Sequence, residues 1–259
     1  MRFAFHRDVA LGRFVPLDTP AHRLDPRTKL VVFVAFLFAL LHATGVASWL
    51  LAALAFAAAA LAKLPFRRVG GGLRALTWIL AITIAYHVLW IGRRDLGLVA
   101  GARAGVEAAL ELVAMLVAAA ALTHATEPVR LADALAHLLG FLERVRVPVR
   151  DFTLVLMLAL RFLPTVMEEA QRIVLAQRAR GAVFEGSPLA RGKRFLPLAI
   201  PLFAGCLRRA DTLALAMEAR GFSTSVRRTQ LEPLRFQALD VWTLLGVAAI
   251  LAASFVLAR

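Results

Sequence analysis

Four stretches of this chain carry no Asp, Glu, Lys or Arg: 30–62, 75–92, 112–126 and 241–258. A helix crossing a bilayer needs about 20 predominantly apolar residues, with a range of roughly 17–25. Runs of this kind leave few folds open to the chain. The composition agrees: 60% of the 259 residues are hydrophobic and the mean hydropathy is +0.73, whereas soluble domains run about 45–50% apolar. The expected class is an all-α integral membrane protein of about five transmembrane helices with a cytoplasmic amphipathic region.

The expected division has four parts. Residues 1–29 are a polar, turn-rich cytoplasmic segment with Pro16, Pro20 and Pro26 and six basic residues. Residues 30–122 hold four spans: Leu30–Leu41, extended by His42–Thr44 to a turn at Gly45; Val46–Leu61; Leu73–Ile91; and Gly105–Leu122, which tolerates Glu107 and Glu111 near its start. Trp78, Tyr86 and Trp90 are candidate interface anchors. The loop before the third span carries Lys63, Arg67, Arg68 and Arg74 around Gly70-Gly71-Gly72, read as a flexible cytoplasmic turn. Arg93, Arg94 and Arg103 fall on the predicted outer side, against the positive-inside rule. Residues 123–240 interleave charges with apolar residues, the pattern of amphipathic helices. One starts at Thr126-Glu127-Pro128, with Leu131, Leu135, Leu138, Leu139 and Leu142 on one face, and another covers 165–180. Gly186 to Lys193 reads as a loop, and Pro197 or Pro201 as the start of the next helix. Residues 241–259 form the last span, with Trp242 at its edge.

The formal net charge of +14 would suggest nucleic acid in a soluble protein. Here the basic residues are spread over most loops, mixed with acids and without aromatic interleaving, so no nucleic-acid partner is expected and the lipid bilayer is. The first thirty residues carry Asp8, Asp18 and Asp25 and lack the apolar core of a signal peptide. The single Cys206 forms no intramolecular disulfide, and no Asn offers a glycosylation acceptor.

The polar region contains one phrase twice. Leu175-Ala176-Gln177-Arg178-Ala179-Arg180-Gly181 and Leu215-Ala216-Met217-Glu218-Ala219-Arg220-Gly221 both read L-A-x-x-A-R-G. Each follows a second shared phrase, Arg161-Phe162-Leu163-Pro164 or Arg194-Phe195-Leu196-Pro197. From Pro164 to Gly181 is 17 residues and from Pro197 to Gly221 is 24, a difference of seven, close to two helical turns. Gly181 and Gly221 suit the left-handed residue that ends a helix. Arg180 and Arg220 then sit in the last turn, where a cation favours the helix dipole, and Ala179 and Ala219 permit close approach. Each end becomes a blunt tip with one forked cation suited to carboxylates and carbonyls of a partner. For a single copy, ordinary capping explains the pattern; two copies point to two similar partners.

With these motifs the chain resembles the transmembrane T component of energy-coupling factor transporters (the EcfT/CbiQ-like family), which carries two A-R-G motifs on cytoplasmic coupling helices. Leu24-Asp25-Pro26-Arg27-Thr28-Lys29-Leu30, Leu122 to Pro128, Ala159 to Pro164 and Arg208-Arg209-Ala210-Asp211 fit as well, and the resemblance covers roughly residues 11–257. It implies a non-catalytic subunit in the cell (inner) membrane of a prokaryote, multi-pass, with its N-terminus cytoplasmic. Two ABC-type ATPases, identical or different, would take the coupling helices through Ala179, Arg180, Gly181 and Ala219, Arg220, Gly221. Their motions would pass to one substrate-binding S component at a time, for uptake of a vitamin or other micronutrient. Gly12 to His22 resembles members that share one module among several S components; a dedicated biotin or cobalt/nickel T component is the alternative. Asp25, Pro26, Arg27, Thr28 and Lys29 form a possible structural motif before the first span, read either as an ion pair of Asp25 with Arg27 and Lys29 or as a solvated turn.

No nucleotide-binding loop of the form G-x-x-x-x-G-K-[ST] is present; 186–194 has five intervening residues and Arg after Lys193. The six histidines lack metal-ligand spacing, so neither metal nor cofactor is expected in this chain. His42 and His87 are read as interface residues. A membrane enzyme is the remote alternative: Asp25, Glu127, Asp133, Glu143 and Asp151 are candidate acids, but their spacing matches no catalytic motif.

Overall fold

The structure, a computed structural model, describes residues 19–90, 97–182, 188–223 and 236–257, with the side chains of 66–69, 73, 188–196 and 255–257 not described. The expectations for Gly12–Pro16, Arg93 and Arg94 lie outside the described residues. Nine α-helices occur among the described residues: α1 Pro20–Arg23, α2 Pro26–His42, α3 Val46–Leu61, α4 Phe66–Trp90, α5 Gly97–Ala125, α6 Pro128–Leu139, α7 Val149–Ala179, α8 Pro188–Ala219 and α9 Ala238–Leu257. A short 3₁₀ segment, Gly140–Val145, links α6 to α7. The chain divides into two compact units, residues 1–138 with 234–259, and residues 139–233.

The first unit is the apolar bundle. The α2–α3 hairpin turns at Gly45, and α5 packs against α3 and α4, while α9 packs on α2. Its core is built largely from small residues: Ala47, Ala52, Ala55 and Ala59 of α3 meet Ala114, Val117 and Ala121 of α5, with Phe36, Leu40 and Leu51 filling the remaining space. Small faces bring helix backbones close, the usual solution where lipid removes the hydrophobic advantage of large side chains. α5 comes close to α4 at Gly105, where an added Cβ would stand 3.1 Å from the Cα of Ile84.

α5 has 29 residues and by length and composition can cross a membrane; Val46–Leu61, Arg74–Trp90 and Ala238–Ser254 are shorter apolar helices. At 1.5 Å per residue the 17 residues of α2 reach about 25 Å, within what a bilayer accommodates by slight thinning. Large apolar side chains lie on the outside of the unit: Trp78 is 79% exposed and Trp242 73%, with Ile82, Leu98 and Val99 similarly open. Water would not sustain such a surface, and hydrocarbon does.

Two hydrogen bonds fix the direction of the helices. The amide of Asp25 at the start of α2 donates to Asp240 at the start of α9, and the Lys29 ammonium donates to the carbonyl of Ala125 at the end of α5. The starts of α2 and α9 and the end of α5 therefore share one end of the bundle. The chain between Ala125 and Ala238, which contains the second unit, leaves and rejoins the bundle at that end.

The second unit pairs α7 and α8, and the 3₁₀ segment packs on α7, where Arg150 bridges to Glu143 at 3.1 Å. Here three sequence expectations need correction. Residues 149–179 form one helix that runs through Pro164 rather than breaking there. The loop expected at Gly186–Lys193 is helical from Pro188 onward, and Pro197 and Pro201 lie inside α8 instead of starting it. In the first unit the expected turn at Gly70-Gly71-Gly72 is likewise helical, inside α4. Each error has one cause: proline and glycine disfavour helix interiors by about 3 and 1 kcal/mol, and the long helix on both sides outweighs that local cost.

Candidate functional site

The two A-R-G sequences end α7 and α8 in the same way. Gly181 has φ +85° and Gly221 φ +72°, the left-handed region. The amide of Gly181 donates to the carbonyl of Arg178 at 2.9 Å and that of Ala182 to Gln177 at 3.0 Å. At the second end Gly221 donates to Glu218 and Phe222 to Met217, both at 2.9 Å. This paired pattern is the Schellman termination, in which two otherwise orphaned carbonyls find donors. Alanine, arginine and glycine thus occupy the last helical, capping and left-handed positions in both copies.

The side chains around the two ends match as well. Leu175, Ala176, Ala179 and Arg180 are all exposed, and so are Leu215, Ala216, Ala219 and Arg220. At 100° per residue these four positions fall on one side of a helix. Leu175 is 64% exposed and Leu215 67%. Each tip therefore offers a leucine, a flat alanine step and a terminal guanidinium in the same order. The sequence reading stressed the arginine; the leucine was present in the repeated phrase, but its exposure becomes visible only in the fold.

The Asp25–Lys29 motif lies in the bundle. Asp25 and Thr28 are buried, so the solvated-turn reading is corrected. The hydrogen bonds of Asp25 and Lys29 go to the backbone. Asp25 caps α2 by accepting the amide of Arg27 at 2.9 Å, and Lys29 donates to the carbonyls of His22 at 3.2 Å and Ala125 at 2.9 Å. The fully buried Asp240 completes the cluster: one carboxylate oxygen accepts the amide of Asp25 and the other that of Gln237, each at 2.8 Å. Asp240 entered the sequence reading only as the boundary of an apolar run. Its signal was an acid in the first turn of a helix, where it satisfies backbone donors. His22 and His124 meet edge-on in the same cluster, with ring centroids 6.0 Å apart.

Three of the acids considered for an enzyme have other partners. Glu127 pairs with Arg130, Glu143 with Arg150, and Asp25 is engaged with backbone amides. Among the described residues no group of three or more His, Cys, Asp or Glu is placed to hold a metal ion.

Bundle and helix ends together define an all-α integral membrane protein. Residues 18–231 match the family described as cobalt transport protein, CbiQ. Three curated relatives each carry the name energy-coupling factor transporter transmembrane protein EcfT. The relative from Limosilactobacillus fermentum is 39% identical over 97% of both chains. That from Heliobacterium modesticaldum is 37% identical over 94% of this chain and 95% of its own. That from Bacillus subtilis is 32% identical over 96% and 98%. The chain belongs to this family, the transmembrane T components of energy-coupling factor transporters.

Proposed function

We propose that this T component links two ABC-type ATPase subunits to a membrane-embedded S component through the ends of α7 and α8. One observation carries the reading: two helices of different sequence end in the same hydrogen-bonded cap and expose the same Leu-Ala-Ala-Arg face. A shared cap alone would be structural. A shared exposed face is of use only to a partner, and its duplication fits a pair of related partners. Arg180 and Arg220 would each enter a groove of one ATPase and meet carboxylates or carbonyls there. Leu175 and Leu215 would fill an apolar pocket one turn away. The ATPases would hydrolyse ATP; this chain would hold no cofactor and turn over no substrate. The end of α2 that carries Arg27 and Lys29 would face the cytoplasm of a prokaryotic cell, the side where ATP and the ATPases are.

The test is the double variant Arg180→Glu, Arg220→Glu, expressed with the native complex. Membrane insertion should be retained, while ATPase co-purification and uptake are lost. Normal ATPase yield and normal uptake in the double variant would overturn the reading. Uptake of a vitamin or other micronutrient through a module shared by several S components is the preferred assignment. The description of the matched family as cobalt transport supports the dedicated alternative. Several different small membrane proteins co-purifying with this chain would support a shared module, and a single one a dedicated transporter.

A further inference from the structure

A cleft of about 290 Å³ opens in the bundle between α2, α3, α5 and α9. Its walls are almost wholly apolar, with Val32, Phe33 and Phe36 on one side and Leu54, Leu122 and Val247 among the residues opposite. Lys29 and Thr28 stand at one end of the lining, the end where α2 and α9 start. Along α2 the cleft runs from Thr28 to Phe36 and along α9 from Leu239 to Val247. Eight residues of helix cover about 12 Å. The hydrocarbon core of a bilayer is about 30 Å thick, so the cleft reaches through most of one leaflet and stops before the midplane.

We propose that this cleft binds one acyl chain of an anionic phospholipid from the leaflet at the Asp25 end, with the lipid phosphate at Lys29. Charge complementarity and length select this occupant. Lys29 lines the cleft, Arg27 stands two residues before it at the start of α2, and Lys63 follows directly on the cleft-lining Ala62. The acids there are already engaged. Asp25 and Asp240 accept backbone amides, and Glu127 pairs with Arg130. Two of the three N–H groups of Lys29 go to carbonyls, leaving one for an incoming oxygen among the described residues. The buried hydroxyl of Thr28 and Nε of Arg27 have no hydrogen-bond partner among the described residues either. A phosphate would answer this surplus of donors. An extended protein segment would bring backbone groups that an apolar wall cannot satisfy, and a helix is about 10 Å across with its side chains; an acyl chain brings neither demand. This inference is independent of how the helix ends couple to ATPases.

The experiment is native mass spectrometry of the full chain released from nanodiscs of equal phosphatidylglycerol and phosphatidylcholine, for wild type, Ala58→Phe and Lys29→Gln. Ala58 lines the cleft from an exposed position on α3, so Phe there fills the space without entering the core. Wild type should retain one phosphatidylglycerol in preference to phosphatidylcholine. Ala58→Phe should lose the retained lipid while keeping its thermal transition, and Lys29→Gln should keep a lipid but lose the preference for phosphatidylglycerol. A photoreactive phosphatidylglycerol with its label on the acyl chain should attach to residues 32–36. Equal lipid retention by wild type and Ala58→Phe would overturn the proposal. So would equal retention of both lipids by wild type, or a cysteine at Ala58 cross-linking to a protein subunit in the intact complex.

Discussion

At the scale of single residues, the two caps and the lysine cluster make separate predictions. Gly181 and Gly221 hold φ values that cost an L-residue roughly 1–2 kcal/mol. Neither glycine has a neighbour that a methyl group would strike, so Gly181→Ala isolates backbone conformation from packing. Amide exchange at Ala182, the donor to Gln177, should become faster in this variant, while exchange in mid-helix should stay the same. Unchanged exchange at Ala182 would show that the cap does not depend on the left-handed residue. Lys29 donates to the carbonyls of His22 and Ala125, so Lys29→Met should lower the thermal transition in detergent by leaving both acceptors unmet; an unchanged transition would exclude that role. The A-R-G geometry was legible in sequence because glycine after a basic helix end has few other conformational uses. The partners of Lys29 were not, since two are backbone carbonyls, which no residue type announces.

At the scale of helices, the α4–α5 contact depends on one missing side chain. Gly105 faces the backbone of Ile84, and Gly105→Leu should separate the two helices at about 1–3 kcal/mol, the usual cost of overpacking. A lowered thermal transition in detergent, set against the neighbouring Val106→Leu, is the measurement. An unchanged transition would show that the approach is not a constraint. The apolar helices themselves were readable from charge-free runs, and α3 matches its expected bounds because lipid-compatible composition has no rival reading over sixteen residues. The long helices α7 and α8 were harder. Pro164, Pro197 and Pro201 are strong stop signals in a soluble chain, yet all three lie within helices. Their neighbours form amphipathic runs on both sides, and the stability of the continuous helix decides the outcome.

At the scale of the whole molecule, the bonds from Asp25 to Asp240 and from Lys29 to Ala125 make α2 and α9 start at the same end. The end of α9 then lies at the opposite end of the bundle. With the Asp25 end cytoplasmic, alkaline phosphatase fused after Leu257 should be active, while a fluorescent protein inserted after Arg146 should glow in the cytoplasm. Reversed results would turn the orientation over, and activity at both places would break the count of spans. The Asp25–Asp240 bond has a further consequence for how the protein is made. Its partners are 215 residues apart in sequence. At synthesis rates of roughly 5–20 residues per second, the first helix waits about 10–40 s for its acceptor. During that interval the amide of Asp25 lacks its acceptor. A nascent chain that stalls before Asp240 keeps that donor unmet, and should be cleared by membrane proteases faster than the complete chain.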